Sequence, residues 1–266
     1  MSATRSDFRQ PVGIFDSGLG GLTVLSALRA RLPRENFVYF ADTRFLPYGH
    51  RSEAFIQTRS RKIALALVAR GAKAVLIACN TATSAAAEVV RETVRVPVVA
   101  LEPAVKPAAA LTKTGVVGVL ATVRTLSSGR FQRLVRDHAG AIRVIAQPCP
   151  GLADAIEAEG AMSARVNALL DEYIPPLVAA GADVVVLGCT HYPWVRAAIA
   201  ARLPKDAHIV DTGEAVACQV EHRLRSESHL GGQGHLTLAT SGNAHSVRET
   251  IIGLSGLSLP VESWRI

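Results

Sequence analysis

The chain reads as an α/β protein of two pseudo-symmetric domains with mainly parallel central sheets and a site in the cleft between them. Three observations predict this. Short apolar runs, such as Val184 to Leu187, end on glycine or polar residues and are followed by helical patterns, the strand-loop-helix alternation of a parallel sheet. The stretch 71–83 is repeated at 181–193, with the same Gly-Ala lead-in, the same apolar run and a cysteine at the same place, Cys79 and Cys189. The segment Val116 to Thr122 echoes Val12 to Ser17, with Ala121 in place of Asp16 and Thr122 in place of Ser17. Both cysteines therefore fall at strand carboxyl ends, the edge where open α/β sheets bind ligands.

Residues 1–11 are a polar tail, and the first strand, Val12 to Phe15, runs into Asp16-Ser17-Gly18-Leu19-Gly20-Gly21. Leu22, Leu25, Leu28 and Leu32 then recur at helical spacing until Pro33. Phe37 to Ala41 is a strand, and after Pro47-Tyr48-Gly49 a helix is expected from Ser52 to Ala69. The first cysteine strand leads to a helix over 81–93, a strand at 97–101 and a helix over 103–111. The second half starts again at Val116 and continues with a helix at 126–138, a strand at 142–146 and a helix carrying Asp154, Glu157 and Glu159. A helix over 163–180, the second cysteine strand, a helix at 194–202 and a strand at 207–210 follow. A last helix, a strand-like Leu236 to Ala239 and a C-terminal segment complete the chain. Its return to the first half gives a discontinuous first domain, 1–98 plus 207–266, around a second at 99–206.

With 266 residues, 49% hydrophobic and 19% charged, the chain can bury a core in each half and is not of disordered composition. The formal charge of +7 comes from scattered arginines with no dense run, which argues against nucleic acid as a partner and fits a small anionic substrate. The N-terminus has no secretory pattern and no apolar stretch reaches a membrane span, so a cytoplasmic protein without a membrane partner is expected. Cys79, Cys149, Cys189 and Cys218 lack metal-ligand spacing, and no metal is expected. Gly18-x-Gly20-Gly21 falls short of a dinucleotide fingerprint and no lysine sits in a pyridoxal-phosphate setting, so no cofactor is expected.

Two thiols presented from two halves suit one chemistry in particular. A thiol ionises near pH 8.5, so its neighbours can hold it as donor or acceptor. One on each face of a tetrahedral carbon can remove a proton from one side and deliver one to the other, as a two-base racemase requires. Acid–base help supplies about 10²–10⁴-fold, so the carbanion-like charge also needs hydrogen-bond donors. Ser17, Asn80, Thr81, Thr122 and Thr190 stand at strand ends and helix starts where such donors belong. Asp16 can orient an ammonium group or assist Cys79, and His191 can exchange a proton with Cys189. Glu157, by its pattern alone, is a surface residue.

These stretches resemble the aspartate/glutamate racemase family. Gly13 to Val24, Pro47-Tyr48-Gly49, Ala78 to Ala82, Leu120-Ala121-Thr122, Gly188 to Pro193 and Asp211-Thr212-Gly213 carry the resemblance. It implies cofactor-independent interconversion of L- and D-glutamate, supplying D-glutamate for peptidoglycan, with a homodimer as the protein partner to consider. It assigns Cys79 to the D- and Cys189 to the L-enantiomer, assisted by Asp16 and His191, and places Glu157 behind His191. Substrate contacts are implied for Asp16, Ser17, Tyr48, Gly49, Asn80, Thr81, Thr122, Thr190 and His191. Gly151 and Asp154 depart from the family pattern, which has bulkier apolar residues or proline there. Aspartate racemisation and a non-catalytic dithiol redox or binding role are the alternatives.

Overall fold

The computed structural model describes residues 10–227 and 229–266; the tail expected over 1–11 falls, for residues 1–9, outside them. The first half runs β1 (Val12–Asp16), α1 (Leu22–Arg31), β2 (Phe37–Ala41), α2 (Glu53–Ala69), β3 (Ala74–Ile77), α3 (Asn80–Thr93) and β4 (Val98–Ala100). The second runs α4 (Val105–Leu111), β5 (Val116–Ala121), α5 (Val123–Ser127), α6 (Gly129–His138), β6 (Arg143–Pro148), α7 (Leu152–Glu159), α8 (Ala164–Tyr173), α9 (Pro175–Ala179), β7 (Val184–Gly188), α10 (Arg196–Ala200) and β8 (His208–Val210). The chain then continues through α11 (Gly213–Ser226), β9 (Leu236–Thr240), α12 (Ala244–Ser255) and β10 (Val261–Ser263).

Two sheets result, ordered β10-β9-β2-β1-β3-β4 and β6-β5-β7-β8, with every pairing parallel. The order β2-β1-β3-β4 of the first is the order β6-β5-β7-β8 of the second, so the sequence repeat is a repeat of topology. Register makes the match exact to the residue: Phe15 lies opposite Ile77, two before Cys79, and Leu120 lies opposite Leu187, two before Cys189. β1, β3 and β7 are buried along their whole length, as central parallel strands covered by helices on both faces must be.

The sheets move both expected domain crossings. A cut at 98/99 severs β4, which pairs with β3, and a return at 207 assigns β8 to the first half, although it pairs with β7. Leu101 still packs in the first core and Ala104 already in the second, so we place the outward crossing at 101–103 and the return at 211–212. Three expected helices are also divided. Ser128 ends α5 and caps α6 by accepting from the Phe131 amide (3.1 Å), which breaks 126–138. Pro175 and Pro176 break 163–180 into α8 and α9, because proline supplies no amide to the helix ladder. The segment 194–202 is a 3-10 turn, Tyr192–Val195, followed by α10. The C-terminal segment holds α12, capped by Asn243, and β10, which extends the first sheet. No helix among the described residues is long and apolar enough to cross a membrane.

Candidate active site

Both cysteines follow buried strands directly, so their positions are fixed by the sheets. Cys79 begins α3, its sulfur accepting from the Ala82 amide at 3.4 Å. Cys79 and Cys189 are 5% and 7% exposed and line one cavity of about 210 Å³, with walls from both halves. Of the residues expected at the substrate, Ser17, Tyr48, Gly49, Asn80, Thr81, Thr122, Thr190 and His191 line this cavity. Asp16 does not: it stands one layer behind, fully buried.

The Asp16 carboxylate organises the turn after β1. One oxygen accepts from the Ser17 amide (2.6 Å) and hydroxyl (3.1 Å), and the other from the Gly21 amide and from Thr190 Oγ1 of the opposite half (3.2 Å). Burial raises its pKa, with His191 acting in the opposite direction. Ser17 Oγ in turn lies 3.5 Å from Cys79 Sγ. Burial, reinforced by the Asp16 carboxylate, pushes the Cys79 thiol well up, which favours its protonated form.

The surroundings of Cys189 are different. His191 Nδ1 is 3.8 Å from Cys189 Sγ, and His191 Nε2 meets Glu157 Oε2 at 2.5 Å. The same carboxylate oxygen accepts from the Leu19 amide of the first half at 2.9 Å. Burial works to remove the His191 proton, but the hydrogen bonds to Cys189 and Glu157, with the Glu157 charge, outweigh it and hold the imidazole pKa well above its ordinary value. Glu157 is therefore no surface residue; its side chain is 9% exposed and forms an interdomain contact.

The glycines after Asp16 make this approach between the halves feasible. A Cβ on Gly20 would lie 2.5 Å from His191 Nδ1, and one on Gly18 would collide with the Glu157 carboxylate. The motif is a close-approach device between halves, and Thr81 Oγ1 to Thr122 Oγ1 (3.0 Å) is a further link across the cleft.

The Asn80 amide is buried, lines the cavity, and has no hydrogen-bond partner for its nitrogen or oxygen among the described residues. A buried polar group of this kind calls for a ligand or water. Tyr48 is the reverse case. Its hydroxyl donates to Asp42, which is held bidentately by buried Arg59 (2.6 and 3.0 Å), so the ring lines the cavity while the hydroxyl is engaged behind it. Arg59 also donates to the Ile266 carbonyl (2.8 Å), tying the C-terminal segment to this cluster.

Sequence reasoning missed Asp42 and Arg59, whose only signal was a carboxylate at the end of a strand. It also missed Cys149, His50 and Asp154 as cavity residues. Burial pushes the Cys149 thiol up to about 12, so it is a protonated wall group at neutral pH. Among the described residues no cluster of His, Cys, Asp and Glu is arranged to hold a metal ion.

The model of the family described as Asp/Glu/Hydantoin racemase matches residues 23–220. A glutamate racemase of Stutzerimonas stutzeri is 48% identical over 233 residues, covering 87% of this chain and 88% of that one. The fold is similar to that of a glutamate racemase from Bacillus anthracis, with a TM-score of 0.88 at 28% identity over 98% of this chain and 99% of the other. It is also similar to a glutamate racemase from Francisella tularensis in complex with D-glutamate, with a TM-score of 0.85, 26% identity and 98% of both chains covered.

Proposed function

The chain belongs to the Asp/Glu/hydantoin racemase family, and from that premise we propose that it interconverts L- and D-glutamate with Cys79 and Cys189 as the two proton-transfer groups. The observation that carries this reading is the placement of two equivalent, buried strand-end thiols, one from each half, on the walls of one small cavity. A carbon held between them has one sulfur on each face. In the L-to-D direction Cys189 removes the Cα proton while Cys79, kept as the thiol by burial and Asp16, delivers one to the opposite face. His191, backed by Glu157, exchanges a proton with Cys189 and readies it for the next turnover.

The donors account for binding and for carbanion stabilisation. Among the described residues no lysine or arginine lines the cavity, so the substrate carboxylates are met by neutral donors: the Asn80 amide, the backbone amides opening α3 and a hydroxyl of the Thr81–Thr122 pair, while the Ser17 and Thr190 hydroxyls are committed to Asp16. Such donors are fixed before the charge develops and need no reorganisation when it does. Asp16, outside the wall, is read as a positioning group for Ser17 and Cys79 and not as a substrate contact. Residues of both halves of one chain form its walls. We place the reaction in the cytoplasm, with its D-glutamate product directed to peptidoglycan synthesis.

Solvent exchange tests the reading. Protein incubated in D2O with L-glutamate, without added cofactor or metal, is expected to place deuterium at Cα as optical rotation decays, followed by NMR and polarimetry. Exchange confined to L-aspartate would transfer the assignment to that substrate, and no exchange with either amino acid from folded, reduced protein would overturn it.

A further inference from the structure

Among the residues that line the cavity, two partly exposed side chains from opposite halves face each other. His50 ends the 3-10 turn Tyr48–His50, and Asp154 lies in the first turn of α7. Their side chains are 69% and 34% exposed, both line the cavity, and His50 Nε2 is 3.8 Å from Asp154 Oδ2. That distance is too long for a hydrogen bond, but it is within ion-pair range while the imidazole carries its proton. The segments so joined are the ones that carry the site: the turn presents Tyr48 and Gly49, and α7 presents Glu157 one turn beyond Asp154. Asp154 is also the one carboxylate among the described residues of the wall.

We propose that His50 and Asp154 are a positioning pair that closes the mouth of the cavity over bound substrate, holding the Tyr48–Gly49 turn against the helix of Glu157. The inference rests on the glutamate racemase reading. Holding the Asp154 carboxylate toward His50 on closure also limits its repulsion of an anionic substrate. Neither group touches the reacting carbon, so the effect falls on substrate retention, that is on KM more than on kcat.

The test is a double-mutant cycle of racemisation in both directions at one near-neutral pH, with His50→Gln, Asp154→Asn and the double variant. A partly exposed ion pair is worth up to about 1 kcal/mol, so each single variant is expected to raise KM for both enantiomers about two- to fivefold. The double variant is expected to be no worse than either single one, because both remove the same contact. Raising salt to about 0.5 M is expected to raise the wild-type KM and to affect the variants less. KM rising in His50→Gln but falling in Asp154→Asn would show a bare charge effect on the wall and overturn closure, as would single effects that multiply in the double variant. Failure of the underlying reading is visible separately, in a wild-type protein that does not racemise glutamate.

Discussion

The two halves present the same residue type at the same topological position and surround it with opposite chemistry. Phe15–Ile77 and Leu120–Leu187 place Cys79 and Cys189 equivalently. Yet Asp16 beside the first cysteine strand is matched by Ala121 beside the second, and Thr81 by His191. Cys79 accordingly has a hydroxyl neighbour with a buried carboxylate behind it, and its thiol is held protonated. Cys189 has an imidazole backed by a carboxylate, which holds that imidazole protonated. The difference teaches that mirror-image chemistry does not require mirror-image protein. In the proposed mechanism the two thiols do opposite jobs at any instant, one giving a proton while the other takes one, and unlike surroundings suit them to it.

The largest effect that can break this comparison is removal of either sulfur. Cys79→Ser and Cys189→Ser are each expected to reduce racemisation by about 10²–10⁴-fold, the range of acid–base catalysis, with the fold retained by circular dichroism. The sharper measurement uses a glutamate analogue with a leaving group at Cβ, whose elimination needs one base. Cys189→Ser should lose elimination from the L-form and keep it from the D-form, with Cys79→Ser showing the converse. Near-wild-type racemisation in either variant would sink the two-thiol mechanism.

Glu157→Gln comes next, because it alters one side alone. Hydrogen bonds to charged groups are worth about 1.5–3 kcal/mol, which corresponds to a loss of about ten- to hundredfold. The two enantiomers have equal free energy, so kcat/KM must fall equally in both directions and cannot reveal the asymmetry. One-base elimination can: the loss should concentrate on the L-analogue, whose proton faces Cys189. Equal losses on both analogues would mean that Glu157 maintains the interdomain contact with Leu19 and has no particular bearing on Cys189.

The same contact should appear in stability. His191 has its folded pKa raised above the unfolded value, so the folded state holds more protons between the two. The stabilisation is complete below the unfolded value, near 6.5, and is lost as pH rises toward the folded one. The urea midpoint of the wild type should therefore decline as pH rises above about 6.5, and the decline is read below about pH 7.5, before free thiols, which ionise near 8.5, begin to titrate. Glu157→Gln should flatten that decline, and an unaltered slope would remove Glu157 as its source.

Much of this arrangement was legible in the residues, for reasons that can be named. Central parallel strands are buried on both faces, so Ala74–Ile77 and Val184–Gly188 are continuous apolar runs and their repetition is visible. Edge strands carry no such mark: β8 is short and half-exposed, and nothing in His208–Val210 tells which sheet it joins. Helix breaks at Ser128 and Pro175 needed a choice between capping and continuing that periodicity alone does not make. Asp16 was visible as a strand-end acid, but whether it faces the cavity or Gly21 and Thr190 depends on how the halves approach each other. Glu157 looked like an exposed helix position because its partners, Leu19 and His191, are distant in sequence.

Tyr48 offers the smallest and most discriminating of these tests. The family resemblance makes it a substrate contact, but its hydroxyl donates to Asp42, whose carboxylate Arg59 grips from the other side. Burial, with the neighbouring Asp42 charge, raises the phenol pKa, so the hydroxyl remains a donor throughout the working pH range. Tyr48→Phe keeps the ring in the cavity wall and deletes that one donor, while Asp42 retains both bonds from Arg59. The expected cost is about 1 kcal/mol of stability, or about 2–4 °C in Tm for a chain of this size, with KM for glutamate changing less than about twofold. A rise in KM of tenfold with an unchanged Tm would reverse the assignment and put the hydroxyl on the substrate. The wall from the first half would then contribute a side-chain donor at Tyr48, and the turn 47–50 would act through binding and not only through its shape.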